Sequence, residues 1–135
     1  MYLVDTNIWL ERLLEQERSE EVAKFLNSIP TEKLFITDFS FHSISIVLTK
    51  FKKFEILTKF VLDLFIEGRV FLISLAPEDI LKVVQVMEKF KLDFDDAYQY
   101  VAADKYDLII VSFDTDFDTT EKGRKTPKEI LLKSQ

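Results

Sequence analysis

Two apolar runs in this chain end on an aspartate: MYLVD, closing at Asp5, and LIIVSFD, closing at Asp114. Eight of the twelve aspartates fall between Asp93 and Asp118, seven of them in the groups LDFDDAYQYVAAD and VSFDTDFD. Carboxylates set just past buried strands are costly to gather, because like charges a few Å apart raise one another's pKa unless a cation neutralises them. A fold that brings these strand ends together therefore calls for a hard divalent ion held through oxygen, Mg²⁺ or Mn²⁺.

The order of elements shows how they could meet. Tyr2–Val4 reads as a buried strand, followed by a helix over Thr6–Glu15 with Ile8, Trp9, Leu13 and Leu14 at helical spacing. Ser19 opens a second helix. Leu34–Thr37 is a second strand, and Asp38 is placed to cap a helix running to about Lys50. A helix over Phe54–Glu67 stops at Gly68, at the position that favours a left-handed glycine. Val70–Ser74 is a third strand, and Pro77 starts a helix reaching Phe90. Asp93 caps the next helix, with Asp95 and Asp96 in its first turn; Leu108–Ser112 is a fourth strand, and a short helix begins at Pro127. Strands alternating with helices predict a three-layer α/β/α fold around a parallel sheet, one domain over residues 1–135.

Helix starts and strand ends share one edge of such a sheet, the edge where open α/β folds bind ligands. Asp5 and Asp114 lie just past strands, Asp38 opens a helix after one, and Asp96 begins the helix leading back into the fourth. Four acids distant in sequence can thus converge, holding one or two divalent ions and positioning a water against a phosphodiester. Each residue also has a local explanation. Asp93 serves as an N-cap, Asp95 and Asp96 suit the positive end of a helix, and Asp114, Asp116 and Asp118 suit turns.

Composition removes competing chemistries. Two glycines, Gly68 and Gly123, cannot build a phosphate cradle. The absence of cysteine excludes disulfides and thiolate metal sites, and the single His42 excludes a multi-histidine zinc centre. No run approaches the roughly 18 apolar residues of a membrane span, and MYLVDTN lacks the features of a signal peptide, which predicts a cytoplasmic protein. A net charge of −6 argues against a protein that coats nucleic acid, but not against an enzyme that cuts it.

Together VDTN, DDAYQYVAA and VSFDTDF resemble, in order and spacing, the signatures of the PIN domain family. The resemblance implies a small α/β fold with a central parallel sheet of four or five strands. It also implies a Mg²⁺- or Mn²⁺-dependent endoribonuclease, similar to the VapC toxins of toxin–antitoxin pairs. Carried over residue by residue, it implies Asp5, Asp96 and Asp114 as catalytic and metal-binding acids and Asp116 as a further metal ligand. Thr6 and Asn7 match the small polar positions after the first acid. One position departs: the glutamate such proteins carry in the helix after the second strand falls at about Ser43, beside His42, and neither is an acid.

Asn7, Asp38, His42 and Ser43 are therefore auxiliary candidates. Asp38 is either a substitute acid or that helix's cap. His42 is either a proton donor or phosphate contact, or a half-buried side chain among Phe41, Ile44 and Ile46. The departure motivates a second reading, a catalytically impaired PIN-fold binding or assembly module. Expected partners are an RNA substrate, an antitoxin protein and a second copy of the chain. The homodimer is expected because Phe39, Phe41, Phe51, Phe54, Phe60 and Phe65 load one region with more apolar surface than a small sheet can cover.

Overall fold

The structure, a computed structural model, describes residues 1–133. Four short strands, β1 (Tyr2–Val4), β2 (Leu34–Thr37), β3 (Phe71–Ile73) and β4 (Ile109–Val111), form a parallel sheet in the order β3-β2-β1-β4. β1 is central, pairing Tyr2 with both Leu34 and Ile109. Around the sheet lie α1 (Thr6–Leu13), α2 (Ser19–Ser28), α3 (Asp38–Lys50), α4 (Phe54–Val61), α5 (Ile80–Phe90), α6 (Phe94–Lys105) and α7 (Pro127–Lys133).

Period-two alternation along the strands divides the interior in two. Val4, Leu34, Ile36 and Val111 face one core with Ile8, Trp9, Phe25, Ile44, Leu48, Phe60 and Ile130. Leu3, Phe35 and Ile110 face the other, against Val83, Val86, Ala97 and Val101. The sheet is thus the middle of three layers. The Trp9 indole N–H donates to the Val4 carbonyl at 3.2 Å, fixing α1 against the end of β1.

Several local details differ from the sequence expectation. Thr37 caps α3, its hydroxyl accepting from the Ser40 N–H at 3.0 Å, and Asp38 is the first helical residue. After Val61 the α4 backbone continues as a π-helical turn, Leu62–Glu67, that closes with the Gly68 N–H on the Asp63 carbonyl at 3.0 Å. Gly68 has φ −84°, so it is not a left-handed cap. Its lack of a side chain matters because a Cβ there would stand 2.6 Å from the Asp63 carbonyl oxygen and 2.8 Å from that of Leu64. Beyond β4 the chain returns for one bridge, Val111 beside Lys125, the rudiment of a fifth strand.

Most of the phenylalanines expected at a subunit contact are structural. Phe60 is buried, and Phe41 and Phe65 pack with it in the first core. Phe39 lies against Phe94 and Tyr98. Phe51 and Phe54 remain exposed.

Candidate metal centre

The carboxyl ends of β1 and β4 lie side by side, with the Asp5 N–H donating to the Val111 carbonyl at 2.9 Å. Asp5 is buried at the start of α1. Its Oδ1 accepts from the Thr6 N–H at 2.7 Å; its Oδ2 accepts from the Ser112 hydroxyl at 2.7 Å and the Asn7 amide at 3.3 Å. Ser112 is the hinge of this arrangement. Its Oγ also accepts from the Asp114 N–H at 2.9 Å and from Asn7 at 3.2 Å, and the Asn7 carbonyl oxygen accepts from the Phe113 N–H. One hydroxyl and one amide therefore hold the residues after two strands in fixed relation, although 107 positions separate Asp5 from Ser112.

Asp114 opens a short 3-10 turn, Thr115–Thr119, and its Oδ1 accepts from the Asp116 N–H at 2.8 Å. From α6, Asp93 caps the helix through the Asp96 N–H, and this places the buried Asp96 carboxyl against Asp114. One oxygen from each of Asp96, Asp114 and Asp116 lies within 4.8 Å of the others. Asp5 is not a member of that trio, but its charge reaches both Asp96 and Asp114.

Protonation reflects this crowding. Burial pushes the Asp5 carboxyl up to about 6; the Ser112 hydrogen bond opposes it, and the charges of Asp95 and Asp114 add to it. Asp96 rises to about 8, first through burial and then through the charge of Asp114 and a hydrogen bond shared with it. Asp95 is also raised, by burial and then by Asp93 and Asp114. A site made only of oxygen donors, several of them unwilling to ionise alone, matches the chemistry of a hard divalent cation.

The auxiliary candidates lie at different distances from this centre. Asn7 is inside it. Asp38 turns toward α6, where its Oδ1 accepts from the Tyr98 hydroxyl at 2.8 Å, and that hydroxyl accepts from the Leu75 N–H. His42 is exposed, with its ring against Phe41. Ser43 is half-buried, one turn beyond Ser40. Ser40 joins α3 to both α1 and α6. It is fully buried, and its Oγ accepts from the Thr6 hydroxyl at 2.8 Å and from the Gln99 amide. Sequence reasoning passed over Ser40 and Ser112, since a serine carries no signal until its partners are known.

The model of the PIN domain matches residues 2–123. The chain belongs to the PIN domain family. No curated protein sequence matches it. Among solved structures, a toxin–antitoxin complex from Klebsiella pneumoniae aligns over 94% of this chain and 98% of its own, with TM-score 0.75 and 20% identity. FitAcB from Neisseria gonorrhoeae aligns over 95% and 99%, with TM-score 0.74 and 21% identity. VapC20 from Mycobacterium tuberculosis, a toxin that cleaves the sarcin–ricin loop, aligns over 94% and 100%, with TM-score 0.78 and 14% identity. These PIN-fold likenesses agree with the three-layer architecture and its parallel sheet. Among the described residues, no helix is long and apolar enough to cross a membrane.

Proposed function

We propose that this protein is a Mg²⁺- or Mn²⁺-dependent endoribonuclease acting as the toxin of a toxin–antitoxin pair. The observation that carries the reading is the convergence of Asp96, Asp114 and Asp116 within 4.8 Å at the sheet edge where Asp5 is held. Asp5, Asp96, Asp114 and Asp116 would hold the ion. Bound there, it would supply Lewis-acid polarisation of a phosphoryl oxygen and a water of lowered pKa. The chain's own work is to keep the acids together. Ser112 and Asn7 hold Asp5, the Asp93 cap presents Asp96, and Asp96, hydrogen-bonded to Asp114, would have to give up its proton to serve as a ligand.

A polyanionic substrate needs a cationic approach. Arg124 does not provide it: its guanidinium bonds both oxygens of Asp118 at 3.1 Å and the Ser112 carbonyl at 3.2 Å, bracing the acid loop. Arg18 lies on the rim instead, its guanidinium 3.8 Å from the Phe113 ring centre, next in sequence to Asp114. The antitoxin partner rests on the likeness to toxin–antitoxin complexes. A homodimer rests on the exposed apolar side chains of the α3–α4 side, Ile46, Phe51, Phe54 and Leu62.

The test is cleavage of a labelled RNA panel in Mn²⁺ by the wild type and Asp114→Asn, beside calorimetric metal titration. Metal-dependent cleavage lost in Asp114→Asn supports the reading. The lack of an acid at Ser43 favours one alternative, a PIN-fold binding module. RNA or protein binding by a chain that takes up no divalent ion at millimolar concentration would establish that alternative.

A further inference from the structure

Asp95 stands beside Asp96 in the first turn of α6. Its Oδ1 is enclosed by protein and meets no hydrogen-bond donor, whereas the oxygens of its neighbours Asp5, Asp93 and Asp114 accept from backbone or side-chain groups. A buried carboxylate oxygen without a donor costs stability, and a native fold keeps one where something absent from the chain supplies the partner. Asp95 lies near enough to the acid cluster for its charge to act on both Asp5 and Asp114.

The opposite wall of the site explains why such an oxygen would be needed. There α3 offers Ser40, a neutral hydroxyl already bonded to Thr6 and Gln99, while its one carboxylate, Asp38, accepts from the Tyr98 hydroxyl and the Phe39 N–H. Asp5, Asp96, Asp114 and Asp116 follow β1, open α6 and form the loop after β4, so none of them comes from α3. Asp95 adjoins Asp96 and, like Asp5, stands outside the trio that lies within 4.8 Å.

We propose that Asp95 is a ligand of the divalent ion, supplying from α6 a negative charge in place of the α3 carboxylate that is turned to Tyr98. The inference rests on the metal-dependent reading above, and its test separates the two. Mn²⁺ affinity is measured by calorimetry on the wild type, Asp95→Asn, Asp95→Ala and Asp93→Asn, with the melting temperature of each in EDTA. Asp93→Asn is the control. It removes the same charge from the same helix start while keeping a residue that caps equally well.

Both Asp95 variants should lose about tenfold or more in Mn²⁺ affinity. Their metal-free melting temperatures should rise, because the unpartnered oxygen is gone or neutral. Asp93→Asn should lose far less affinity. Affinity in the Asp95 variants within about twofold of the wild type, or a loss no greater than in Asp93→Asn, overturns the role of Asp95 and leaves the metal site standing. If the wild type binds no Mn²⁺ at millimolar concentration, the metal-dependent reading and this inference fall together.

Discussion

Two helices begin at the same edge of the sheet, α3 and α6, and their first turns are built on opposite terms. At α3, Thr37 caps the helix, Ser40 accepts from Thr6 and Gln99, Thr37 donates to the Gln99 carbonyl oxygen, and Asp38 takes the Tyr98 hydroxyl. These polar groups have partners within the protein. At α6, Asp95 keeps a buried oxygen without a donor, and Asp96 holds a proton well above the ordinary carboxylate range. A first turn whose groups are satisfied rigidifies the fold. One that is left unsatisfied by the protein alone is a place where a ligand completes the structure.

The largest effect that sharpens this contrast should come from Asp96→Asn. Losing a residue that merely supports a ligand typically costs about 10–100-fold in metal affinity or activity, so loss of a ligand itself should cost at least the upper figure. Mn²⁺-dependent RNA cleavage should therefore fall by about 100-fold or more, while the metal-free protein melts higher than the wild type. A drop in activity accompanied by a lower melting temperature in EDTA would place Asp96 with the structural first turn of α3 instead.

The next effect is on pH. Asp5 stands near 6 and Asp96 near 8 in the folded chain, against about 3.8 when unfolded. The folded state therefore retains protons that the unfolded state has released. The contribution of these two acids is fully present below about pH 4 and is lost as the pH climbs through the folded values. Asp5 alone accounts for about 3 kcal/mol of this loss. In EDTA the melting temperature should fall by about 10 °C or more between pH 4.5 and pH 8.5. Saturating Mn²⁺ should flatten or reverse the slope, since binding requires the deprotonated acids. A metal-free melting temperature that is constant across this range would show that the acids are not crowded.

The unevenness between the two helices was only partly legible in the sequence. Asp5, Asp96 and Asp114 announce themselves because each carboxylate adjoins an apolar run or a helix start. The strands were readable from MYLV, LFIT and LIIV, and Asp93 as a cap from its place before the first turn of α6. The α3 side was not readable in the same way. Ser40 lies 34 residues from Thr6 and 59 from Gln99, and only the assembled fold makes those three polar groups one unit. Thr37 and Asp38 are both good caps, and nothing local decides between them until the last pairing of β2 is known. The π-helical turn before Gly68 has no residue signal at all, because it differs from an α-helix by one carbonyl. The phenylalanines misled for another reason: composition counts apolar surface but cannot say that Phe41, Phe60 and Phe65 pack on one another.

Ser40→Ala breaks the comparison from the other side. It leaves the Thr6 hydroxyl and the Gln99 amide as buried donors without their acceptor, at a cost of about 2 kcal/mol. Denaturant unfolding should show that loss, while Mn²⁺ affinity in the folded protein stays within a few-fold of wild type. A collapse of metal affinity with little change in stability would mean that Ser40 serves the ion and that the α3 start belongs to the site.

The smallest effects concern the two α3 positions that sequence alone put forward as substitutes for an acid. Asp38→Asn keeps an oxygen to accept from the Tyr98 hydroxyl and the Phe39 N–H, but without the charge that strengthens both bonds. The expected loss is about 1 kcal/mol, the difference between a charged and a neutral acceptor, read as a small drop in denaturant midpoint. The Tyr98 phenol, now pushed up to about 12 by burial and then by Asp38, should titrate lower once the carboxylate is gone. Mn²⁺ affinity should not change, because Asp38 spends its oxygen on α6 rather than on the acid cluster. Ser43→Glu is the complementary change. Its half-buried position lies a turn past Ser40, so an added carboxylate there should leave both Mn²⁺ affinity and cleavage within about twofold of wild type. A large gain from Ser43→Glu, or a loss of metal affinity in Asp38→Asn as steep as that in Asp96→Asn, would show that α3 contributes to the ion after all, and the contrast between the two helix starts would be one of degree.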